Sequence, residues 1–216
     1  MIKEIIFDMD GVLIEAKEWH YEALNRALSL FGYKISRHDH LTAYDGLPTR
    51  KKLEMLSRDS MLPRQLHGFI NEMKQLYTME IVHAQCKPRF VHEYALSRLK
   101  AKGYTLAVAS NSVRATVEVM MQKAELARYM SLFLSNEDVT HAKPDAEIYN
   151  KAIAHFGLRP NECLVVEDNE NGIKSAMASG AHVLVVSEVT EVNIDNIMTR
   201  IREIEQSSDQ CRETAA

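Results

Sequence analysis

Cysteine is scarce in this chain: Cys86, Cys163 and Cys211 are odd in number and far apart. That spacing excludes a disulfide framework and offers no zinc-ligand pattern, so the thiols are expected to be reduced. Basic charge is not in excess. With 26 Lys and Arg against 30 Asp and Glu, the formal net charge is −4, the wrong balance for a nucleic-acid partner. No apolar run approaches the roughly 20 residues of a membrane-spanning helix, so no membrane partner is expected. The opening Met1-Ile2-Lys3-Glu4 lacks the basic region, apolar stretch and small-residue cleavage site of a secretory leader. There is no internal repeat. These absences make a cytoplasmic protein, monomeric or weakly oligomeric, the expectation.

What is present is ordinary in composition and specific in pattern. The 216 residues are 46% apolar and 26% charged, the balance of a soluble globular protein. That length holds one sizeable core, or a core with a small inserted domain. Eleven methionines read as core filling rather than as a metal or cofactor site.

The chain is organised around Ile5-Ile6-Phe7-Asp8-Met9-Asp10-Gly11-Val12-Leu13-Ile14. An apolar run forms a strand, reaches two carboxylates two residues apart, and breaks at a glycine. Two aspartates so close repel each other and favour a cation between them. Ligands made only of oxygen suit Mg²⁺ rather than a soft metal. With their charge offset, one carboxylate is free to act as a nucleophile. Taken alone, the same residues also read as a strand followed by an acidic turn.

Residues 15–31 read as a helix, with Leu24, Leu28 and Phe31 at helical spacing and Gly32 as its stop. After a polar connection, Leu53 and Leu56 mark a short helix. Pro63 opens another, with Leu66, Phe69, Ile70, Met73, Leu76 and Tyr77 on one side. Residues 15–85 therefore form an all-helical insert. From Pro88 the pattern changes, and helices alternate with apolar strands at 104–109, 132–134, 163–166 and 182–186. Continuous apolar strands between helices indicate a parallel sheet covered on both faces. The fold class is α/β: an open, Rossmann-like parallel sheet made from residues 1–14 and 86–216, with the helical cap of residues 15–85 inserted after the first strand. A last helix falls within 187–206, and the polar end from Gln206 to Ala216 is expected to fray.

In an open parallel sheet, working groups sit beyond the carboxyl ends of the strands. Asp8 and Asp10 end the first strand here, Ser110-Asn111-Ser112 the second, and Glu167-Asp168-Asn169 the fourth. Lys143-Pro144-Asp145 follows the third within a short loop. Two pairs of acids, a hydroxyl and amide cluster and a lysine are what phosphoryl transfer through an aspartyl-phosphate requires. One carboxylate attacks, another moves a proton, a cation holds the acids, and fixed donors cradle the phosphate oxygens. Singly, Asp168 also reads as a helix cap, Ser110 and Asn111 as turn formers, and Lys143 as a surface charge.

The chain resembles the haloacid dehalogenase superfamily, in its β-phosphoglucomutase-like branch of phosphatases and mutases. The resemblance rests on Asp8-Met9-Asp10-Gly11-Val12, the serine closing Val108-Ala109-Ser110, Lys143-Pro144, and Glu167-Asp168. These four motifs occur in order at strand ends, and the match extends over about residues 2–187. The resemblance implies Asp8 as nucleophile and Asp10 as general acid and base. It implies Mg²⁺ held by Asp8, the main-chain carbonyl of Asp10 and Asp168, with Glu167 behind them or as an alternative metal group. Ser110 and Asn111 would bind the phosphoryl oxygens, and Lys143 would neutralise them while pairing with Asp8. His20 coincides with a histidine near the hinge of the mutases, and equally reads as a structural residue of an amphipathic helix.

Substrate choice falls to the cap, which would close over the phosphate and exclude water. Asp45-Gly46-Leu47-Pro48-Thr49-Arg50 is its most loop-like stretch. Arg50 is a candidate grip on a distal phosphate, since guanidinium suits bidentate phosphate contacts. Arg50-Lys51-Lys52 also reads as a solvated helix start, and Lys74 and Gln75 are weaker candidates. Two departures from the mutases stand out. Ala16 replaces a threonine that would bond near the general acid and base, and Val113 replaces a lysine. The reading is a Mg²⁺-dependent phosphatase of a small phosphorylated metabolite, with a sugar phosphate expected. A phosphomutase and a non-catalytic binding or regulatory protein are the alternatives.

Overall fold

The computed structural model describes residues 1–44 and 46–213, with side chains through Ser207. Asp45, the side chain of Cys211 and residues 214–216 lie outside the described residues. In chain order the elements are β1 (Glu4–Phe7), α1 (Lys17–Ser29), the single turn α2 (Arg37–Asp39), α3 (Thr49–Asp59), α4 (His67–Gln85), α5 (Phe90–Ala101), β2 (Thr105–Ala109) and α6 (Arg114–Lys123). They continue with β3 (Leu132–Leu134), α7 (Glu147–His155), β4 (Cys163–Glu167), α8 (Glu170–Ala178), β5 (His182–Val185) and α9 (Ile194–Glu213). Among the described residues, no helix is long and apolar enough to cross a membrane.

The five strands form one parallel sheet in the order β3-β2-β1-β4-β5. β1 is central, with Phe7 opposite Val108 on one side and Val166 on the other. The two-residue repeat of a strand divides its side chains between two faces. Ile5, Phe7, Leu106, Val108, Leu164 and Val166 share one core with residues of α5, α6 and α9. Ile6, Ala107, Ala109, Cys163 and Val165 pack on the other face against Ile148, Tyr149 and Ala152 of α7 and Ala176 of α8. This is a sheet between two helical layers, as the continuous apolar strands foretold. The connections α5 and α6 lie on one face and α7 and α8 on the other. The chain therefore changes sides between β1 and β4, and a crevice opens there beyond the strand ends.

The helices between β1 and β2 have a core of their own, made of Leu24, Ala27, Leu28, Ile35, Tyr44, Leu53, Leu56, Leu62 and Ile70. Each buried leucine or isoleucine among them is worth about 1.5–3 kcal/mol of transfer free energy. The expected single apolar side of α4 is only partly realised. Its buried residues are Ile70, Lys74, Thr78, Ile81 and Val82, whereas Phe69 and Leu76 are exposed at 48% and 62%. The inward face of α4 is shared between the cap core and a polar cavity, so apolar spacing alone misplaces it. The last helix, α9, runs on to Glu213, past the expected fraying at Gln206. Cys86 and Cys163 are free and buried.

Candidate active site

The strand ends deliver their side chains into one cavity of about 600 Å³ between sheet and cap. Its walls include Asp8, Asp10, Ser110, Asn111 and Lys143 from the core, and His20, Lys52 and Lys74 from the cap. Lys143 is the electrostatic centre. Its side chain is 2% exposed, and its Nζ donates to Asp8 Oδ1 at 2.6 Å and Glu167 Oε1 at 2.7 Å. The Ala109 carbonyl and Tyr149 Oη also lie 2.8 Å from it. Tyr149 in turn donates to Glu167 Oε1 at 2.6 Å. Burial alone would lower the Lys143 ammonium, but Asp8 and Glu167 outweigh it and hold it above the usual lysine range. The lysine is charged.

Asp8 and Asp10 occupy different environments. Burial raises the Asp8 carboxyl well above its usual range; Lys143 opposes this, and the nearby charges of Glu167, Asp168 and Asp10 add to it. For Asp10, burial would also raise the carboxyl, but His20, Ser112 and Lys74 hold it below the ordinary value. Ser112 Oγ donates to Asp10 Oδ2 at 2.8 Å, and His20 Nε2 lies 3.1 Å from Asp10 Oδ1. Behind the histidine, Lys74 Nζ is 3.3 Å from His20 Nδ1. Burial, together with Lys74, lowers His20, and Asp10 opposes this; the ring turns Nε2 to Asp10 and Nδ1 to Lys74. Lys74 itself is lowered to about 8, by burial and then by Lys52.

Three acids meet at the carboxyl ends of β1 and β4. Asp8, Glu167 and Asp168 each offer a carboxylate oxygen, all within 4.8 Å of one another. The donors are hard oxygens, crowded enough to raise Asp8, and this suits a small divalent cation such as Mg²⁺. Two glycines make room for the cluster. A Cβ on Gly11 would come within 2.0 Å of Asp168 Oδ2, and one on Gly172 within 1.9 Å of Glu167 Oε1. Asp168 does not cap α8: that role belongs to Asn169, whose Oδ1 accepts from the Gly172 amide at 3.0 Å. Its own carboxylate pairs with Lys17 Nζ at 2.6 Å.

The loop after β2 is braced rather than open. Ser110 is buried, and its Oγ accepts from the Ser112 amide at 3.0 Å. Asn111 donates to the Gly46 carbonyl at 3.0 Å and accepts from the Lys143 amide at 3.1 Å. One side chain thus ties the β2 loop, the Lys143 loop and the cap together. Arg50 stands apart from this cluster. Its side chain is 89% exposed at the cavity rim and pairs with Glu54. Lys52, expected on a solvated helix start, is instead buried and lines the cavity.

Three contributors were not singled out by sequence. Ser112 sat inside the hydroxyl cluster, but only its distance to Asp10 sets it apart from Ser110. Tyr149 lies in an apolar helical stripe and reads as core. Lys17 opens a charged helix and carries no motif.

The chain is 26% identical over 182 residues to a phosphorylated carbohydrates phosphatase from Thermotoga maritima, covering 83% of this chain and 82% of that protein. It is 25% identical over 201 residues to a phosphoglycolate phosphatase from Aquifex aeolicus, covering 89% and 92%. In fold it is similar to a β-phosphoglucomutase from Clostridium difficile, with a TM-score of 0.81, 18% identity, and 94% and 98% coverage. A family model described as haloacid dehalogenase-like hydrolase matches residues 5–186. That span begins on β1 and ends just past β5, taking in every strand that carries a site residue, and the chain belongs to the haloacid dehalogenase-like hydrolases.

Proposed function

We propose that this phosphatase hydrolyses a small phosphorylated metabolite, a sugar phosphate, through an aspartyl-phosphate on Asp8. The observation that carries the reading is that two neighbouring carboxylates in one cavity have different partners. Asp8 is held by Lys143 among the acids of the cation cluster, and Asp10 is held by Ser112 and His20. The phosphatases among the curated relatives support the same reaction class.

In the proposed sequence, an Asp8 carboxylate oxygen attacks phosphorus and the bond to the leaving oxygen breaks. Asp10 gives that oxygen its proton. Asp10 starts ionised, and the arriving phosphate dianion raises its carboxyl by like-charge repulsion, so it takes a proton from solvent as substrate binds and returns one to solvent when the cycle ends. It then takes a proton from water attacking the phosphoryl group, and the bond to Asp8 breaks to release inorganic phosphate. Ser110 keeps its hydroxyl hydrogen for a phosphoryl oxygen, Lys143 offsets the charge on the phosphoryl group, and Asn111 braces the loop around them. Asp8 and Asp168, with the main-chain carbonyl of Asp10 and Glu167 beside them, would hold Mg²⁺. That ion would supply charge neutralisation for the nucleophile and the phosphoryl oxygens. The cap, residues 15–85, closes the cavity and selects the substrate, with Lys52 and Lys74 facing it and Arg50 at its rim.

Phosphate release across a panel of sugar and nucleotide phosphates, with Mg²⁺, tests this for wild type and Asp8→Asn. Turnover on a sugar phosphate that drops by about 10³ or more in the variant is expected. Turnover that survives removes Asp8 as nucleophile. Isomerised sugar phosphate without free phosphate, in the presence of catalytic bisphosphate, would replace the hydrolase by a mutase. Silence over the whole panel would favour a binding protein.

A further inference from the structure

Lys17 has no part in the reaction sequence above, yet its ammonium lies against a carboxylate of the cation cluster. Lys17 Nζ is 2.6 Å from Asp168 Oδ2, with the lysine side chain 34% exposed and the aspartate 1% exposed. Its aliphatic stem crosses Gly11 closely: a Cβ on that glycine would come within 2.7 Å of Lys17 Cε and 2.0 Å of Asp168 Oδ2. Gly11, at φ +93°, therefore accommodates both partners of the pair.

Helix stability does not explain a lysine at this place. Lys17 is the first residue of α1, where the helix dipole favours an anion and disfavours a cation. The preceding Ala16 offers no side-chain cap. What the position does supply is reach, because α1 is the first helix of the cap and Asp168 follows β4 of the core. The pair joins the two.

Charge accounting gives the pair a consequence. Of the three clustered carboxylates, Asp8 and Glu167 share Lys143, and Asp168 has Lys17. Lys143 lies on the far side, bonded into the core by Ala109 and Tyr149. Lys17 reaches the cluster from the cap, with its side chain partly in solvent.

We propose that Lys17 is a built-in counter-cation for Asp168 that competes with the divalent ion and so sets metal affinity. Divalent-ion binding weakens the clasp between α1 and the core, and the clasp in turn places a cation against the cluster when no metal is bound. The inference rests on the cation site proposed above, but its test needs no turnover. Mn²⁺ binding to metal-stripped full-length protein is followed by electron paramagnetic resonance of the free ion. The variants are Lys17→Met, Lys17→Arg and Asp168→Asn.

Lys17→Met is expected to bind Mn²⁺ about three- to tenfold more tightly than wild type, the range for removing one partly screened charge beside the site. Lys17→Arg, which keeps the charge, should stay within about twofold of wild type. Circular dichroism of each variant checks that the fold persists. Unchanged or weaker Mn²⁺ binding in a folded Lys17→Met would overturn the proposal, making the lysine an aid to Asp168 or a bystander. Asp168→Asn separates the two levels: undiminished binding there removes the cation site itself, whereas lost binding with no effect of Lys17→Met removes only the competition.

Discussion

Lys143 shows how a single residue can be legible in kind but not in consequence. Its place after the third strand and before a proline marked it for the site, but only the fold shows it sharing one ammonium between Asp8 and Glu167. Replacing it by methionine leaves two buried carboxylates without their cation. Breaking a buried pair in this way costs about 3–5 kcal/mol. Lys143→Met is therefore expected to lower unfolding stability in urea by about that amount at neutral pH, and turnover by about a hundredfold. Retained stability would mean that the acids take up protons without cost. Asp8, Asp10 and Asp168 were equally readable from strand-end position. His20 was not decided by sequence, because a histidine at helical spacing has the same pattern whether it packs or faces Asp10. Asn111, expected on the phosphate, lines the cavity and also ties the loop to Gly46 and Lys143, a bracing role no local pattern carries.

At the scale of elements, the strands were easier to read than the cap. Parallel strands buried on both faces are continuous apolar runs, and β2, β3, β4 and β5 fall where those runs are. Cap helices serve two environments at once. α4 turns Ile70 to the cap core but Lys74 to the cavity, so Phe69 and Leu76 are left outside despite their apolar spacing. The loop before α3 carries its own constraint. Gly46 sits at φ +66°, and a Cβ there would lie 2.7 Å from Asn169 Oδ1. Gly46→Ala should therefore disturb cap seating more than folding, with the backbone strain costing about 1 kcal/mol. The expected result is a fall of about tenfold in kcat/KM with cooperative unfolding retained. Unchanged kinetics would show that this contact does not govern closure.

For the molecule as a whole, the end of the sheet opposite the active site carries a titration of its own. Glu4, at the start of β1, is 0% exposed, and Oε2 accepts from Cys163 Sγ at 3.4 Å. Its Oε1 has no hydrogen-bond partner among the described residues. Burial raises its carboxyl from 4.5 to about 7, with the Cys163 contact opposing. The folded state thus holds a proton that the unfolded chain releases near pH 4.5. The stability from that proton is fully present below about pH 4.5 and is lost as pH rises through about 7. For this one group the loss is about 3 kcal/mol. Urea midpoints measured from pH 5 to 8 should fall less steeply in Glu4→Gln than in wild type. Parallel slopes would assign the pH dependence to other groups.

The α/β alternation, the helical insert and the motif residues at four strand ends were all determined by sequence, because each depends on local pattern: apolar runs, helical spacing, and polar residues where a strand stops. Family resemblance followed from the same short motifs. The partners of those residues were decided only by tertiary structure. Lys17 against Asp168, Ser112 on Asp10, and Lys143 between Asp8 and Glu167 each join segments distant in the chain. Their distances depend on how the sheet orders its strands and how the cap helices turn, quantities that no local pattern carries. Local periodicity selects which residues can be buried; packing decides which charges are buried together.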